Sequence, residues 1–434
     1  MTLSSPPSRR SLAEWLAWQE RLHPSTIDLG LERVGRVWRR LGGGRPAPKV
    51  ITVGGTNGKG STVAILEAAL LAAGRRVGAY TSPHLLRYNE RIRIEGIEVV
   101  DEALCDAFGR VDSARGGESL TYFEFGTLAA LDLFRRAGVE VALLEVGLGG
   151  RLDAVNVVDP DVAVVTSVGI DHTAWLGESR DAIGREKGGI FRQGRPALCG
   201  DPEPPAGLLE AARLVGADLY CLGGRYGLRR GGGQTWEWWL EGESEAGLPL
   251  PAAPGDHMLR NAATALAALR LAGLELPRPA LEAGLAVRLA GRFQRRIHGA
   301  VEWLLDVAHN GQAAQALART LETEPVEGDT LAVVTLLEDK DAAAVVAPLR
   351  PLVSHWYCAG SDEPRGVVAS RMVERLVETG LPEDRIEAAG GVIDACRQAA
   401  RAARPGDRIL VFGSFVTVGE ALRHGVGAAA GDAL

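Results

Sequence analysis

The segment VITVGGTNGKGST, residues 50–62, limits the fold more than any other stretch of the chain. Its first four residues, Val50, Ile51, Thr52 and Val53, are all β-branched and read as a buried strand. Gly54, Gly55, Thr56, Asn57, Gly58, Lys59 and Gly60 follow, and Ser61 and Thr62 open an Ala/Leu-rich helix. Glycines let successive backbone N–H groups turn toward an anion, the helix N-terminus adds partial positive charge, and Lys59 adds a full one. That combination suits a nucleoside triphosphate. The pattern G-x-x-x-x-G-K-[ST] is not met, because position 53 is Val and Gly60 follows Lys59.

A chain of 434 residues has room for two or three domains. Its 46% hydrophobic and 24% charged content is that of an ordinary globular protein. The net charge of −7 argues against nucleic acid as the main partner. Five cysteines (Cys105, Cys199, Cys221, Cys358, Cys396) lack C-x-x-C spacing, which fits a reducing compartment and gives no sign of a zinc site. Arg9 and Arg10 are followed by Trp15, Gln19 and Glu20 instead of an apolar leader core, and no apolar run is long enough to cross a bilayer. A cytoplasmic protein with no membrane partner is expected.

Apolar runs alternate with amphipathic stretches: 50–53, 77–80, 139–146 and 162–168, then 301–307, 331–336, 353–358 and 409–412. This rhythm predicts βα units around mostly parallel sheets. It breaks at Gly223–Gly233, which leads into TWEWWLEG, read as a hairpin whose Trp236, Trp238 and Trp239 pack on the domain. A second α/β series begins after GRFQRR. The expected division is a larger nucleotide-binding domain, 1–295, and a smaller doubly wound domain, 297–434.

Ligands of open parallel sheets sit beyond the carboxyl ends of the strands. Ser82, Glu145, and Asp171 with His172 all follow predicted strands, as the glycine loop does. A hydroxyl and a carboxylate beside phosphates imply Mg²⁺. Glu145 closes an apolar strand, which costs free energy unless the carboxylate is paired or bound to a cation. In EVGLGGRLDA a dinucleotide fingerprint fails at Leu152, leaving a turn that presents Arg151 and Asp153. Lys187 in GREKGGIF reads either as a solvated helical lysine or as part of a phosphate or metal site. Asn261, Arg292 and Asp306 fall at domain junctions, and Asp306 with His309 could together hold ribose or phosphate.

GGTNGKGST, TSPHLLRYNERIRI, LTYFEFGTLAAL, LLEVGLGGRLDA, VTSVGIDHTAWLG, REKGGIF, GRFQ, DVAHN and FGSFVTVGE together resemble the folylpolyglutamate synthase/dihydrofolate synthase family of the Mur-ligase superfamily, from about Leu22 to about Glu420. The resemblance implies an α/β fold, with a Mur-ligase-type P-loop ATPase domain followed by a smaller Rossmann-like domain. It implies ATP contacts at Thr56, Asn57, Gly58, Lys59, Gly60, Ser61, Asn261, Arg292, Asp306 and His309. Ser82, Glu145 and His172 would be Mg²⁺-associated, and Lys187 would be carbamylated beside a second ion. Lys59, Glu145, His172 and Lys187 would form the catalytic set. Asp28, Thr121, Tyr122, Phe123, Glu124, Leu152, Asp153 and Ala154 would face the pterin substrate. The implied activity is ATP-dependent addition of L-glutamate to dihydropteroate and to tetrahydrofolate (poly)glutamates through an acyl phosphate, by a monomer. The chain departs from the superfamily pattern at Gly311, where many members have proline.

Overall fold

The computed structural model describes residues 10–427, so Arg9 and the outermost residues of the expected domains lie outside it. The first sheet has eight strands: β1 (Lys49–Gly54), β2 (Val77–Tyr80), β3 (Ile92–Ile94), β4 (Ile97–Glu98), β5 (Val141–Glu145), β6 (Val162–Val165), β7 (Pro196–Cys199) and β8 (Asp218–Cys221). They lie in the order β4-β3-β2-β5-β1-β6-β7-β8, with only the β2–β3–β4 edge antiparallel. Residues of the central strands alternate between two cores. Val50, Ala142 and Leu144 meet Phe125 and Leu128 on one face. Ile51, Val53, Val141 and Leu143 meet Ile65, Leu66 and Ala262 on the other. Burial on both faces explains why these strands read as continuous apolar runs.

The excursion is a three-stranded antiparallel sheet, β9 (Tyr226–Arg230), β10 (Thr235–Leu240) and β11 (Glu243–Pro249). Trp236 and Trp238 are buried, and the Trp238 indole donates to the Ala263 carbonyl at 3.0 Å, which pins the sheet to the helix Asp256–Leu271. Trp239, on the opposite face, lies over Gly227, where a Cβ would come within 2.6 Å of its ring.

The second domain holds β12 (Gln294–His298), β13 (Val301–Asp306), β14 (Thr330–Val334), β15 (His355–Cys358), β16 (Ile386–Ala388) and β17 (Arg408–Phe412), ordered β12-β13-β17-β14-β15-β16. All pairs are parallel except β12–β13. The boundary expected at 295/297 falls inside β12, and Phe293 already belongs to the second core. The polar, arginine-rich QRRIH gave no apolar signal because β12 is an edge strand with exposed side chains. The short strands β3, β4 and β16 and the strands β7 and β8 were likewise absent from the sequence reading.

Trp236 is fully buried, and its indole N–H donates to Pro249 at 2.9 Å. Trp236→Ala should therefore destabilise the first domain by about 3–5 kcal/mol. The readout is the urea midpoint of that domain's unfolding.

Candidate active site

The glycine loop joins β1 to the helix Lys59–Ala72, which begins at Lys59, two residues before the expected start at Ser61. Gly58 precedes the helix at φ +89°, and no side chain caps this end. The first intrahelical bond is from Thr62 N–H to Gly58, so the N–H groups of the first turn face outward together. A Cβ at Gly58 would lie 2.5 Å from Asn261 Oδ1, and one at Gly55 would lie 2.0 Å from Thr166 Oγ1. Only glycine fits either position. The Lys59 ammonium is turned back over the loop onto the carbonyls of Gly55 (3.0 Å) and Thr56 (3.1 Å). Burial lowers its pKa, while Glu145 and Asp171 favour its charged form.

Parallel pairing sets Val53 beside Glu145, so the loop and this carboxylate emerge at the same sheet edge. Glu145 is buried, and its Oε2 accepts the Ser82 N–H at 3.3 Å. Burial raises its pKa against the pull of Lys59 and Arg292. His172 follows β6 in a left-handed backbone conformation, φ +52°. Burial lowers its pKa to about 4, which leaves a neutral imidazole. Lys187 is only 3% exposed, not the solvated lysine of the simpler reading. Its ammonium has no hydrogen-bond partner among the described residues, and burial together with the Lys59 charge lowers its pKa to about 7.

Among the described residues no three His, Cys, Asp or Glu side chains cluster as a preformed metal cage. One buried carboxylate with unspent acceptor capacity, a serine and a neutral imidazole beside an anion-binding loop nevertheless fit Mg²⁺. That ion commonly takes one or two protein carboxylates and completes its octahedron with phosphate oxygens and water.

The second domain reaches this edge through DVAHN, at the end of β13. Arg292 is half-buried near Asp306 and Glu145, with its guanidinium 4.8 Å from the Phe415 ring centroid. Asp306 and His309 both lie at this edge without bonding each other. Asp306 accepts the N–H groups of Phe293 and Ala308, each at 2.8 Å, closing its own turn. His309 bonds the Val307 carbonyl and points its Nε2 across the domain seam toward Asp171, 3.6 Å away. Asn57 of the loop exchanges hydrogen bonds with Asn310 (3.1 Å each way) and donates to Gln312 (2.8 Å). Asn310 and Gln312 were missed by the sequence reading, although two amides next to DVAH were a visible signal.

The expected pterin residues form a neighbouring group. Thr121 and Glu124 close a capping box on the helix Tyr122–Ala137. Arg33, also missed, bridges the Glu124 carboxylate (2.8 Å) to Asp28, so both acids are engaged by one guanidinium. Phe123 lies against Gly147, where a Cβ would meet its ring at 2.6 Å, and 5.8 Å from the Tyr80 centroid. Tyr122 packs edge-on to Tyr88. Asp153 is buried beside Ala154 and accepts the N–H groups of Leu148 and Val155, and burial pushes its pKa up to about 7. Leu152 is half-buried in the same turn. Arg151, expected to face a ligand, instead pairs with Glu186 at 2.9 Å. The carboxylate two turns along the adjacent helix captures it first.

Comparison with known proteins matches the Mur ligase middle domain over residues 53–198 and the Mur ligase glutamate ligase domain over residues 291–415. The dihydrofolate synthase/folylpolyglutamate synthase of Escherichia coli (strain K12) is 47% identical over 418 residues, 95% of each chain. The chain belongs to the dihydrofolate synthase/folylpolyglutamate synthase family. Among solved structures, Escherichia coli FolC in complex with DHPP and ADP has a TM-score of 0.91 at 46% identity, covering 97% of this chain and 99% of that one. The bifunctional synthase from Yersinia pestis, complexed with AMPPNP and Mn ion, has a TM-score of 0.89 at 46% identity and the same coverage. Two α/β domains meet here over a glycine loop. No helix among the described residues is long and apolar enough to cross a membrane.

Gly58→Ala combines a left-handed backbone with a clash against Asn261. It should raise the Kd for ADP by roughly tenfold or more, at a strain cost of about 1–3 kcal/mol, as measured by titration calorimetry.

Proposed function

We propose that this chain is an ATP-dependent ligase that adds L-glutamate to dihydropteroate and to tetrahydrofolate (poly)glutamates. The observation that carries the reading is the convergence of the uncapped helix N-terminus, Lys59 and the buried Glu145 at one sheet edge, covered by the second domain through Asn310 and Gln312. A carboxylate is a poor electrophile, so its oxygen first attacks the γ-phosphorus of ATP and ADP departs. The resulting acyl phosphate is attacked at carbon by the neutral amine of L-glutamate; the amide forms, phosphate leaves and the amine loses a proton.

The N–H groups of Gly58–Ser61 and the Lys59 ammonium hold the phosphates and stabilise charge on the transferring group, while Thr56 and Asn57 donate their own N–H groups to Ser167 and fix the loop's shape; positioning supplies most of the rest. Asn261, Arg292, Asp306 and His309 border the nucleotide from both domains. Glu145, Ser82 and His172 would hold a divalent ion, Mg²⁺ in this reading, which supplies charge neutralisation when bound. His172, neutral at working pH, serves as a ligand or positioning group and not as the essential base. Phe123 and Tyr122, with Thr121, Leu152, Asp153 and Ala154, bound the pterin end, while Asp28 and Glu124 act there through Arg33.

Lys187 is assigned as a carbamate. A lysine buried to this degree whose ammonium makes no hydrogen bond among the described residues holds its charge at a cost, and the lowered pKa leaves a large share of free amine to react with CO₂. The product would be an anionic oxygen ligand for a second ion.

A coupled ADP assay tests the function. Turnover should require L-glutamate together with dihydropteroate or a reduced folate monoglutamate, and Lys59→Ala should lower it by ~10²–10³. ADP formation that ignores the pterin substrate would refute the assignment. Lys187→Ala should lose most activity and regain part of it with short carboxylic acids, measured as turnover against acetate concentration. An unmodified Lys187 predicts no such rescue.

A further inference from the structure

Asp171 and Lys340 come from different domains, and the ligase reading above gives neither a role. Asp171 follows β6, whereas Lys340 ends the turn after β14. The Lys340 ammonium donates to Asp171 Oδ1 at 2.6 Å, and both side chains are more than nine-tenths buried. The same Oδ1 accepts the His172 N–H at 2.8 Å, and Oδ2 accepts Asn310 Nδ2 at 3.0 Å. Asn310 is also the residue that bonds Asn57 of the phosphate loop. Behind the turn, the buried Arg375 of the helix Ala369–Glu378 donates to the carbonyls of Leu336 (3.2 Å), Leu337 (3.1 Å) and Lys340. It pairs with no carboxylate among the described residues, so its guanidinium is committed to the turn that carries Lys340.

We propose that Asp171, Lys340 and Arg375 are positioning residues for the ligation: the buried ion pair registers the second domain on the phosphate loop, and Arg375 sets the turn so that Lys340 reaches it. Drawing the two groups apart without admitting water would leave both charges desolvated and unpaired, so a half-seated arrangement is disfavoured, whereas full opening rehydrates them. Asn310 ties this pair to Asn57, and Asp171 ties it to the backbone of His172. One contact therefore fixes the nucleotide loop, the imidazole and the second domain in a common frame. Such alignment matters because a displacement of about 1 Å at reacting groups costs on the order of 10²-fold in rate. The inference rests on the ligase assignment for its kinetic consequence, though not for its structural one.

The test uses the full chain with Asp171→Asn, Lys340→Met, the double variant, Lys340→Arg and Arg375→Lys. Each of the first two should lower kcat about tenfold or more at saturating ATP, pterin and L-glutamate. The double variant, with a neutral pair, should be no slower than the slower single, and Lys340→Arg should recover part of the rate. Small-angle scattering with saturating ADP should show the single variants more extended than the wild type. Multiplying losses in the double variant, equal scattering profiles, or a loss confined to KM for L-glutamate would overturn the proposal; the last would make Lys340 a substrate-binding group. Arg375→Lys should lower kcat and extend the molecule as the single variants do, and a folded variant with wild-type kcat and scattering would overturn the role given to Arg375; should it fail to fold, Arg375→Gln, which keeps two donors for the same carbonyls, takes its place. Scattering needs no folate substrate, so a wild type without folate-dependent ADP formation would defeat the assigned activity while leaving this inference separately readable.

Discussion

The first turn of the helix Lys59–Ala72 presents backbone N–H groups that no side chain among the described residues caps, and much of the molecule is arranged around that end. Parallel pairing of β1 with β5 and β6 brings Glu145, Ser167 and the residues after β6 to the same edge as a matter of register. The loop is seated from behind by Thr166, whose hydroxyl bonds the carbonyls of Gly54 and Asn57 at 3.2 and 2.7 Å. It is seated from the side by Asn261, which occupies the space a Cβ at Gly58 would need. The anion site is thus stiff before any anion arrives. Preorganisation of this kind means that little reorganisation is needed when charge moves during phosphoryl transfer.

The electrostatics follow a second rule. Lys59, Glu145, Lys187, Arg292 and Asp306 are all shifted toward their neutral forms by burial, yet each lies within reach of an opposite charge or an anion-binding group. Charges held this way contribute little to stability, because desolvation offsets their mutual attraction. The cations Lys59 and Arg292 are strong in the interaction that matters, since the same low dielectric magnifies their field on a bound triphosphate. Asp306 illustrates the division of labour. It spends acceptor capacity on Phe293 and Ala308 and thereby fixes the turn from which His309 and Asn310 reach the other domain.

How much of this could be read in the sequence depended on whether a residue's neighbours were local. The strand–glycine–helix unit, the apolar parallel strands and the tryptophan hairpin were legible because each signal lies within a few consecutive residues. Val77–Tyr80 was anticipated to the residue, whereas QRRIH was invisible, since an edge strand needs no apolar pattern. Glu145 was legible because a carboxylate closing an apolar strand demands a partner. Arg33, Gln312, Lys340 and Arg375 were not, because their partners lie 91, 255 and 169 residues away, or at backbone carbonyls that sequence does not display. Arg151 failed in the opposite direction: its local context suggested a ligand, and a glutamate 35 residues on intercepted it.

The same distinction explains why the domain seam holds the most sequence-remote chemistry. Within one domain a polar group can be satisfied by a turn or cap, as Thr121 and Glu124 satisfy each other. Across a seam it must find a partner that only docking supplies. Asn57, Ser167 and Asp171 all project from the first domain toward Asn310, Gln312 and Lys340 of the second, and each bond exists only while the two bodies are seated. An amide–amide contact at such a place is individually weak, on the order of 1 kcal/mol. The buried Asp171–Lys340 pair is different in kind: partial separation leaves two unpaired charges out of water while full opening rehydrates them, so it sharpens the seam toward fully seated or fully open. A ligase that must exclude water from an acyl phosphate and still release its products needs an interface with that character.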